Sequence, residues 1–273
     1  MNSSIENLGI IAGSRGLPLL VAREARKSGV RRIAAVAFEG ETNPELASLV
    51  DSIVWLRVGQ LSKMISAFRA AGITNCVMAG QIAPKKLFDL RPDLKAMMLL
   101  FKLKEKNAHT IFSAIGDELA RNGIQLVEAT PWLTTAMPSS GFHIGPRLSK
   151  QEREDAEFGF KMAKELARLD IGQTVVVKEG TVLAVEAFEG TDRCLMRGGE
   201  LAGKGAGAVA VKVTKPNHDM RFDIPCVGLG TMEVCRSAGV SVLAVEAMKT
   251  IVLDREQVER LIKKSGPALF TVG

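Results

Sequence analysis

The chain of 273 residues contains no tyrosine, and aromatic residues make up only 5% of it. Proteins that bind single-stranded nucleic acid use aromatic side chains as stacking platforms, so this scarcity argues against nucleic acid as a partner. No apolar segment approaches the roughly 20 residues of a membrane-spanning helix, and the first residues lack the basic start of a secretory signal. We therefore expect a cytoplasmic protein without a membrane-spanning helix.

Cysteine and histidine are also scarce, with four and three residues respectively. No two cysteines have the C-x-x-C spacing, and the histidines lie far apart, so no zinc pattern is present. Each cysteine lies in an apolar setting, and we interpret all four as small buried hydrophobic residues. The excess of basic residues is more informative: a net charge of +6 favours phosphorylated ligands or an anionic membrane surface.

Short apolar segments alternate with helical patterns over the first 132 residues. Strands buried on both faces of a parallel sheet read as continuous apolar runs, so this half is predicted to be a Rossmann-like α/β domain. The predicted strands are 8–13, 32–38, 52–56, 75–80 and 125–130, and the predicted helices are 18–28, 44–50, 60–71, 92–104 and 107–122. The helix at 92–104 is so apolar that it is either a core or dimer-interface helix, or a wall for acyl chains.

The sequence pattern changes at residues 133–148, which are rich in proline and glycine and show no helical or strand periodicity. These residues are predicted to link two domains. Residues 149–273 then form a predicted C-terminal catalytic domain of mixed α/β structure. In it, VVVKEGTVLAV is typical of a hairpin with Glu179 and Gly180 at the turn. The segment VLAVEA occurs twice, at 182–187 and 242–247, and only the first copy runs into the acidic turn EGTD.

A glycine-bearing loop follows the first predicted strand and precedes a helix. Gly13, Ser14 and Gly16 place backbone N–H groups at a helix N-terminus, which suits a phosphate. The alternative is a tight turn that needs small residues for packing alone. The dinucleotide fingerprint is broken, because Ile11 stands where its second glycine would be, so nicotinamide-cofactor binding is disfavoured. Gln81 follows another strand, and loops at this end of the strands line the ligand crevice of doubly wound sheets, so Gln81 is a candidate site residue. The alternative is a solvated connection.

The second half carries a denser set of charged residues. Acidic side chains directly after a buried strand are costly unless they are hydrated, paired or bound to a cation. A glycine-rich stretch and two lysines follow, and Asp223 is held extended before Ile-Pro. Carboxylates that bind Mg²⁺, with lysines that neutralise phosphate oxygens, are what phosphoryl chemistry requires. The residues in this set are Glu186, Glu189, Thr191, Asp192, Lys212, Lys215 and Asp223.

Several motifs together resemble the LpxI-type UDP-2,3-diacylglucosamine pyrophosphatases of lipid A biosynthesis. They are GIIAGSRGLP, GQI followed by FDLRPD, IGDEL, VLAVEAFEGTD and KPNHDMRFDIPCVG. The resemblance implies that water splits the substrate's pyrophosphate, which yields UMP and the diacylated glucosamine 1-phosphate called lipid X. It also implies a divalent cation, Mg²⁺ or one such as Mn²⁺, a homodimer, and peripheral association with the inner membrane.

The resemblance places the family's essential aspartate at Asp223, while two positions, His218 and the GQIAPK segment, depart from its usual pattern. We predict Asp223 and Glu189 as catalytic residues, and Asp223, Asp192 and Glu186 as metal ligands. The predicted substrate-binding residues are Gly13, Ser14, Gly16, Gln81, Thr191, Lys212 and Lys215. Two alternatives remain open, a non-catalytic carrier of lipid or nucleotide and a nicotinamide-dependent oxidoreductase.

Overall fold

The structure is a computed structural model that describes residues 5–82, 92–104, 108–203, 205, 207–215, 219–222 and 224–273, the side chains of residues 108 and 109 excepted. The chain divides into two compact units. The first comprises Met1–Leu133 with Asp219–Asp223, and the second comprises Thr134–His218 with Ile224–Gly273. Among the described helices, none combines the length and the apolar character needed to cross a membrane.

The first unit is built on a five-stranded sheet in which all neighbouring strands run parallel, in the order β3-β2-β1-β4-β5. Its strands are β1 (Asn7–Ala12), β2 (Arg32–Phe38), β3 (Ser52–Leu56), β4 (Asn75–Ala79) and β5 (Gln125–Leu126). Its helices are α1 (Leu17–Lys27), α2 (Leu61–Ala70), α3 (Leu94–Lys102), α4 (Ala108–Arg121) and α5 (Thr130–Leu133). The order confirms the predicted Rossmann-like fold.

One helix differs in type from the prediction. The segment predicted as a helix over 44–50 is a 3₁₀ helix, Pro44–Ser48, whose N-terminus is capped by the side chain of Asn43. Five residues are too few for the helical periodicity to separate the two types, and the i→i+3 bond pattern is usual for such short connectors.

Residues 219–222 belong to the first unit, although the sequence analysis placed them in the C-terminal domain. Phe222 packs against the core of the first unit, and its ring stacks on Phe112 with centroids 6.3 Å apart. The Arg221 guanidinium lies over the Phe222 ring, 4.9 Å from its centroid. The apolar partners of Phe222, rather than its sequence neighbours, therefore decide the unit to which this short segment belongs.

The second unit contains a six-stranded mixed sheet in the order β6-β13-β11-β9-β7-β8 and a two-stranded parallel pair, β10 with β12. The strands are β6 (His143–Ile144), β7 (Thr174–Lys178), β8 (Thr181–Val185), β9 (Ala208–Lys212), β10 (Cys226–Val227), β11 (Val240–Glu246), β12 (Ile251–Val252) and β13 (Ala268–Val272). The helices are α6 (Lys150–Arg168), α7 (Thr191–Ala202), α8 (Leu229–Ala238) and α9 (Arg255–Ser265), with a 3₁₀ turn at Thr134–Ala136. The segment predicted as a linker lies largely in this unit, where β6 pairs with β13.

Alternating residues of the central strands face two separate cores. Val209 and Val211 of β9 pack against α6, whereas Ala208 and Ala210 pack against α7, α8 and α9. This period of two is what a sheet covered on both faces produces. The sheet is thus the middle of three layers, and its strand ends are the surfaces at which loops gather.

The predicted hairpin is confirmed. Strands β7 and β8 pair antiparallel, and the turn residues Glu179 and Gly180 both have positive φ, 50° and 71°. Both backbone N–H groups of the turn donate to the buried carboxylate of Asp155, each at 2.8 Å. Paired left-handed residues are characteristic of tight hairpin turns, and the Asp155 contacts fix this one to α6.

The two VLAVEA segments lie in the same six-stranded sheet. The first forms the edge strand β8, and the second forms most of the central strand β11, with β9 and β7 between them. Strand β8 is antiparallel to β7, and β7 is antiparallel to β9, which runs parallel to β11. Strands β8 and β11 therefore point the same way. The glutamate that is the fifth residue of each VLAVEA segment thus lies at the same end of the sheet, where these strands have their carboxyl ends.

Three cysteines are buried as predicted. Burial raises the pKa of Cys76, Cys194 and Cys235 to about 12 in each case. Such thiols stay protonated and unreactive at neutral pH. Cys226 is only half-buried, and its thiol contacts the carbonyl oxygen of Ile224.

Candidate active site

Three charged side chains of the second unit gather where its parallel strands end. Lys212 is the last residue of β9, Glu246 is the last residue of β11, and Glu186 directly follows β8. In α/β proteins, the carboxyl ends of parallel strands are where ligands bind. The predicted residues Glu186 and Lys212 are thus brought to one edge from segments that are distant in sequence.

Thr191 joins Glu186 and Lys212. The Thr191 hydroxyl donates to Glu186 Oε1 at 2.9 Å and accepts from Lys212 Nζ at 2.7 Å. Thr191 is the first residue of α7, and the chain enters this helix through Gly190 at φ 84°. A left-handed residue at that point is easy for glycine, which explains a glycine between Glu189 and Thr191.

Lys212 is a buried cation that forms no direct ion pair with a carboxylate among the residues that the structure describes. Lys212 is only 8% exposed, and the Thr191 hydroxyl is the one hydrogen-bond partner described for its side chain. Buried ammonium groups are normally paired with an anion, because desolvation of an isolated charge is costly. The position is therefore ready to receive an anionic group from outside the chain.

Glu186 presents the opposite charge in the same place. Its Oε2 is buried and has no hydrogen-bond partner within the described structure. An orphaned carboxylate oxygen is costly unless a cation or an ordered water fills its coordination. Glu186 therefore fits the predicted divalent cation, whose preferred ligands are carboxylate oxygens.

The metal site as a whole is not assembled from the described residues alone. No group of three or more His, Cys, Asp or Glu side chains with metal-binding geometry is found among them. Asp192, the second predicted ligand, lies in the first turn of α7 directly after Thr191. Asp223, the predicted third ligand and essential catalytic residue, lies outside the described residues.

Glu189, the other predicted catalytic residue, forms an ion pair with Arg197, which lies nearly two turns into α7. Arg197 Nη2 lies 2.6 Å from Glu189 Oε1, and the backbone N–H of Ala187 donates to Oε2. Hydrogen bonds from its own backbone and from Arg197 hold the pKa of Glu189 below its ordinary value, although partial burial opposes them. Glu189 is thus an ionised carboxylate at neutral pH, and Arg197 is a partner that the sequence analysis missed.

Lys215, the second predicted phosphate clamp, forms an ion pair with Asp170. Asp170 is itself in a left-handed conformation at φ 59°, just after α6 ends. Lys215 is therefore already neutralised, in contrast to Lys212, and would have to leave Asp170 to bind a phosphate.

A second network at the same edge was not predicted. Glu246 is buried and accepts from Lys164 Nζ at 3.0 Å, from Lys249 Nζ at 2.8 Å and from the backbone N–H of Thr214 at 2.8 Å. Lys164 also donates to the Thr214 carbonyl at 2.8 Å. This network anchors the chain just after β9, two residues beyond Lys212. The sequence did not single out Lys164 as a partner of Glu246, because it is one of several lysines on a charged helix.

The predicted substrate residues of the first unit lie together at the carboxyl ends of β1 and β4. The order β3-β2-β1-β4-β5 reverses between these two strands, so this is the switch point at which doubly wound sheets bind ligands. Ser14 Oγ donates to the Gln81 carbonyl at 2.6 Å, and the Ser14 backbone N–H donates to the same oxygen at 2.7 Å. Gly16 is the N-cap of α1 and makes no side-chain cap.

Glycine is required at position 13 because there is no room for a Cβ atom. A Cβ at this position would lie 2.8 Å from the Gln81 carbonyl oxygen and 2.8 Å from the Gly80 carbonyl carbon. Both are backbone atoms that cannot rotate away. Glycine therefore lets the loop after β1 rest on the backbone after β4, which brings Ser14 and Gln81 together.

Sequence comparisons cover nearly the whole chain. Residues 7–136 match the LpxI N-terminal domain, and residues 139–270 match the LpxI C-terminal domain. The chain belongs to the LpxI family. It is 31% identical over 278 residues to the UDP-2,3-diacylglucosamine pyrophosphatase LpxI of Caulobacter vibrioides, and the match covers 98% of each protein.

Likeness to solved structures is weak. The biotin carboxylase subunit of a pyruvate carboxylase has a TM-score of 0.28 and 14% identity, over 66% of this chain and 35% of that one. The biotin carboxylase domain of Hydrogenobacter thermophilus 2-oxoglutarate carboxylase has a TM-score of 0.27 and 11% identity, over 73% and 42% of the two chains. These values support no structural or functional argument.

Proposed function

We propose that this protein is a metal-dependent hydrolase of the pyrophosphate bond of UDP-2,3-diacylglucosamine, producing UMP and 2,3-diacylglucosamine 1-phosphate for lipid A biosynthesis. The observation that carries the proposal is the pairing around Thr191. A buried ammonium without a described anionic partner and a buried carboxylate oxygen without a hydrogen bond share one hydroxyl. The name of the Caulobacter vibrioides relative supplies the substrate class.

In this proposal Lys212 binds an oxygen of the pyrophosphate, since a buried ammonium is a strong electrostatic partner for a phosphate. Thr191 holds Lys212 and Glu186 in place, so that the anion-binding and cation-binding groups stay adjacent. Lys215 adds a second positive charge once it leaves Asp170. In the first unit, Gly13, Ser14, Gly16 and Gln81 bind another part of the substrate at the switch point.

Glu186, Asp192 and Asp223 would hold a divalent cation, Mg²⁺ or Mn²⁺. When bound, such an ion neutralises phosphate oxygens and makes bound water more acidic. Of the chain's own residues, Glu189 is ionised and accepts a hydrogen bond or a proton from the attacking water, with Arg197 holding it in position. Water adds to one phosphorus, the bridging P–O bond breaks, and both products leave as phosphate monoesters.

The proposal includes a homodimer that works in the cytoplasm at the inner-membrane surface. The substrate's two acyl chains place it in a bilayer, and a protein with a net charge of +6 is attracted to anionic headgroups. The dimer is supported by the family resemblance.

The direct test is release of UMP from UDP-2,3-diacylglucosamine. We expect turnover that EDTA abolishes and that added Mg²⁺ or Mn²⁺ restores. Asp223→Ala should abolish turnover while the unfolding curve stays unchanged, and wild-type turnover by this variant would contradict the assignment. Recovery of bound lipid from the purified protein together with no UMP release under any metal condition would instead favour a non-catalytic carrier.

A further inference from the structure

Helix α3 exposes an apolar stripe on the surface of the first unit. Leu94 and Phe101 are 68% and 78% exposed, and Met97 and Met98 between them are also exposed. These four residues have the i, i+3, i+4, i+7 spacing of a single helix face. Only Ala96 of this helix is fully buried, so the prediction of a core helix is wrong.

The opposite side of α3 shows why the helix keeps its place without using this stripe. Leu99 packs against the core of the first unit together with Ala96. The side chain of Asp93 caps the helix through the Ala96 N–H at 2.9 Å and also accepts from the Ser62 N–H at 2.7 Å. The helix is therefore anchored by one face and by its N-terminus, while its most apolar face is left in solvent.

The charge on this segment has one sign. Residues 94–104 contain three lysines and no acidic residue. Lys95 is paired with Glu118 at 2.7 Å. Lys102 and Lys104 are exposed and form no ion pair with any residue that the structure describes. Exposed Leu, Met and Phe side chains flanked by lysines, here without an ion-pair partner in the described part of the chain, are typical of helices that lie in the interface of an anionic bilayer.

A second copy of the chain fits this surface less well. A two-fold interface buries the same patch of both copies, so the positive charge of the lysines on each copy would be brought together. Bringing this net positive charge together opposes such contact, whereas anionic lipid headgroups attract the lysines.

We propose that the exposed face of α3, defined by Leu94, Met97, Met98 and Phe101 with Lys102 and Lys104, is the membrane-docking surface of this protein. Its occupant is the headgroup and upper acyl region of a bilayer that contains anionic phospholipid. The inference rests on the proposed function, because an enzyme whose substrate has two acyl chains must meet that substrate at a bilayer.

The test is binding of the full-length protein to vesicles. We expect the wild type to sediment with vesicles of phosphatidylethanolamine and phosphatidylglycerol, and not with vesicles of phosphatidylcholine alone. L94S/F101S should weaken binding to the anionic vesicles by at least about tenfold, because two apolar anchors are lost. K102Q/K104Q should weaken it by about tenfold at low salt, and added salt should reduce the difference between this variant and the wild type.

Matched controls separate this surface from general charge and hydrophobicity. L169S/L201S removes two side chains that are similarly exposed, 55% and 59%, in the second unit. K263Q/K264Q removes two exposed lysines of α9. Both controls should bind vesicles like the wild type. Equal loss in the controls and in the α3 variants would overturn the proposal, as would failure of the wild type to bind anionic vesicles.

Two further measurements keep the outcomes distinct. If L94S/F101S lowers the oligomeric mass and leaves vesicle binding unchanged, the surface joins two copies and the proposal is overturned. UMP release from substrate dispersed in non-ionic detergent tests the proposed function separately. Turnover without vesicle binding would overturn only the docking surface, and vesicle binding without turnover would overturn only the activity. The α3 variants should retain detergent-phase turnover and the wild-type unfolding midpoint.

Discussion

Lys212 Nζ lies 2.7 Å from the hydroxyl oxygen of Thr191, and no described carboxylate pairs with this buried ammonium. The same hydroxyl donates to Glu186, so one threonine orients a cation and an anion at once. Burial of these charged groups costs desolvation free energy in the free protein. A ligand that carries both phosphate and metal would offset this cost by pairing with both groups. We therefore expect substitution of Lys212 to lower the activity strongly and to affect the free energy of unfolding little.

Lys212→Met should lower kcat for UMP release by about 100-fold or more, because a preorganised charge at the phosphate is lost. The same change should alter the free energy of unfolding by less than about 1 kcal/mol, since the buried ammonium has no direct ion pair to lose, while its removal takes a nearby positive charge away from Glu186. Steady-state kinetics and urea unfolding measure the two effects. A variant that loses stability and activity together would indicate that Lys212 is structural.

Glu186→Gln should raise the Mg²⁺ concentration needed for half-maximal activity by at least about tenfold, because a carboxylate ligand becomes neutral. The amide keeps an oxygen that can accept from Thr191, so the fold should be retained. A Mg²⁺ titration of UMP release is the measurement, and Glu200→Gln, an exposed position on α7, is the matched control. An unchanged Mg²⁺ requirement in the Glu186 variant would remove this residue from the metal site.

Glu246 should make the stability of the protein depend on pH in the acid range. Burial alone would raise its pKa, but hydrogen bonds from Lys249, Thr214 and Lys164 outweigh burial and hold the pKa below its ordinary value of 4.5. A lowered pKa contributes stability that is fully present above the ordinary value and is lost as pH falls through the folded-state value. The wild type should therefore lose this contribution only below about pH 4.5.

Glu246→Gln should then destabilise the protein by about 2–4 kcal/mol at pH 7, because Lys164 loses the partner of a buried pair. The difference from the wild type should shrink as the pH falls below about 4.5, where the wild-type carboxyl is also protonated. Urea unfolding at several pH values gives both curves. Glu259→Gln, which breaks the more exposed pair with Arg255, should cost under about 1 kcal/mol. A pH-independent difference for Glu246→Gln would argue against the network.

The longer strands could be predicted because burial in the sheet makes most of their residues apolar, whereas the two-residue strands β6, β10 and β12 were not predicted. The hairpin at Glu179 and Gly180 could be predicted because only a tight turn needs such residues between two apolar runs. The pairing of side chains could not. Lys164 and Glu246 are 82 residues apart and meet only because α6 covers the sheet beside β11. Nothing in the sequence distinguishes Lys164 from its charged neighbours.

Only part of the predicted set of site residues is brought together by the structure. Glu186, Thr191 and Lys212 do come together, since two lie at the ends of strands that point the same way and the third begins the helix that follows β8. Lys215 and Glu189 were predicted on the same grounds, yet they pair with Asp170 and Arg197. Sequence spacing could not reveal these partners, because Arg197 lies on a helix whose facing side is set by packing, and Asp170 lies just after α6 ends, 45 residues before Lys215.

Gly13→Ala separates the two interpretations of the loop after β1, a ligand-binding loop and a turn needed only for packing. The added methyl group would press on backbone atoms of Gly80 and Gln81 at 2.8 Å, so we expect a loss of about 1–3 kcal/mol in the free energy of unfolding. If the loop binds substrate, KM should also rise, because Ser14 and Gln81 are displaced together. Gly230→Ala is the control: a Cβ there meets no atom within 4 Å, and the position lies inside α8, so stability should be unchanged or gain about 0.5–1 kcal/mol. A destabilised Gly13 variant with unchanged KM would assign the loop to packing alone.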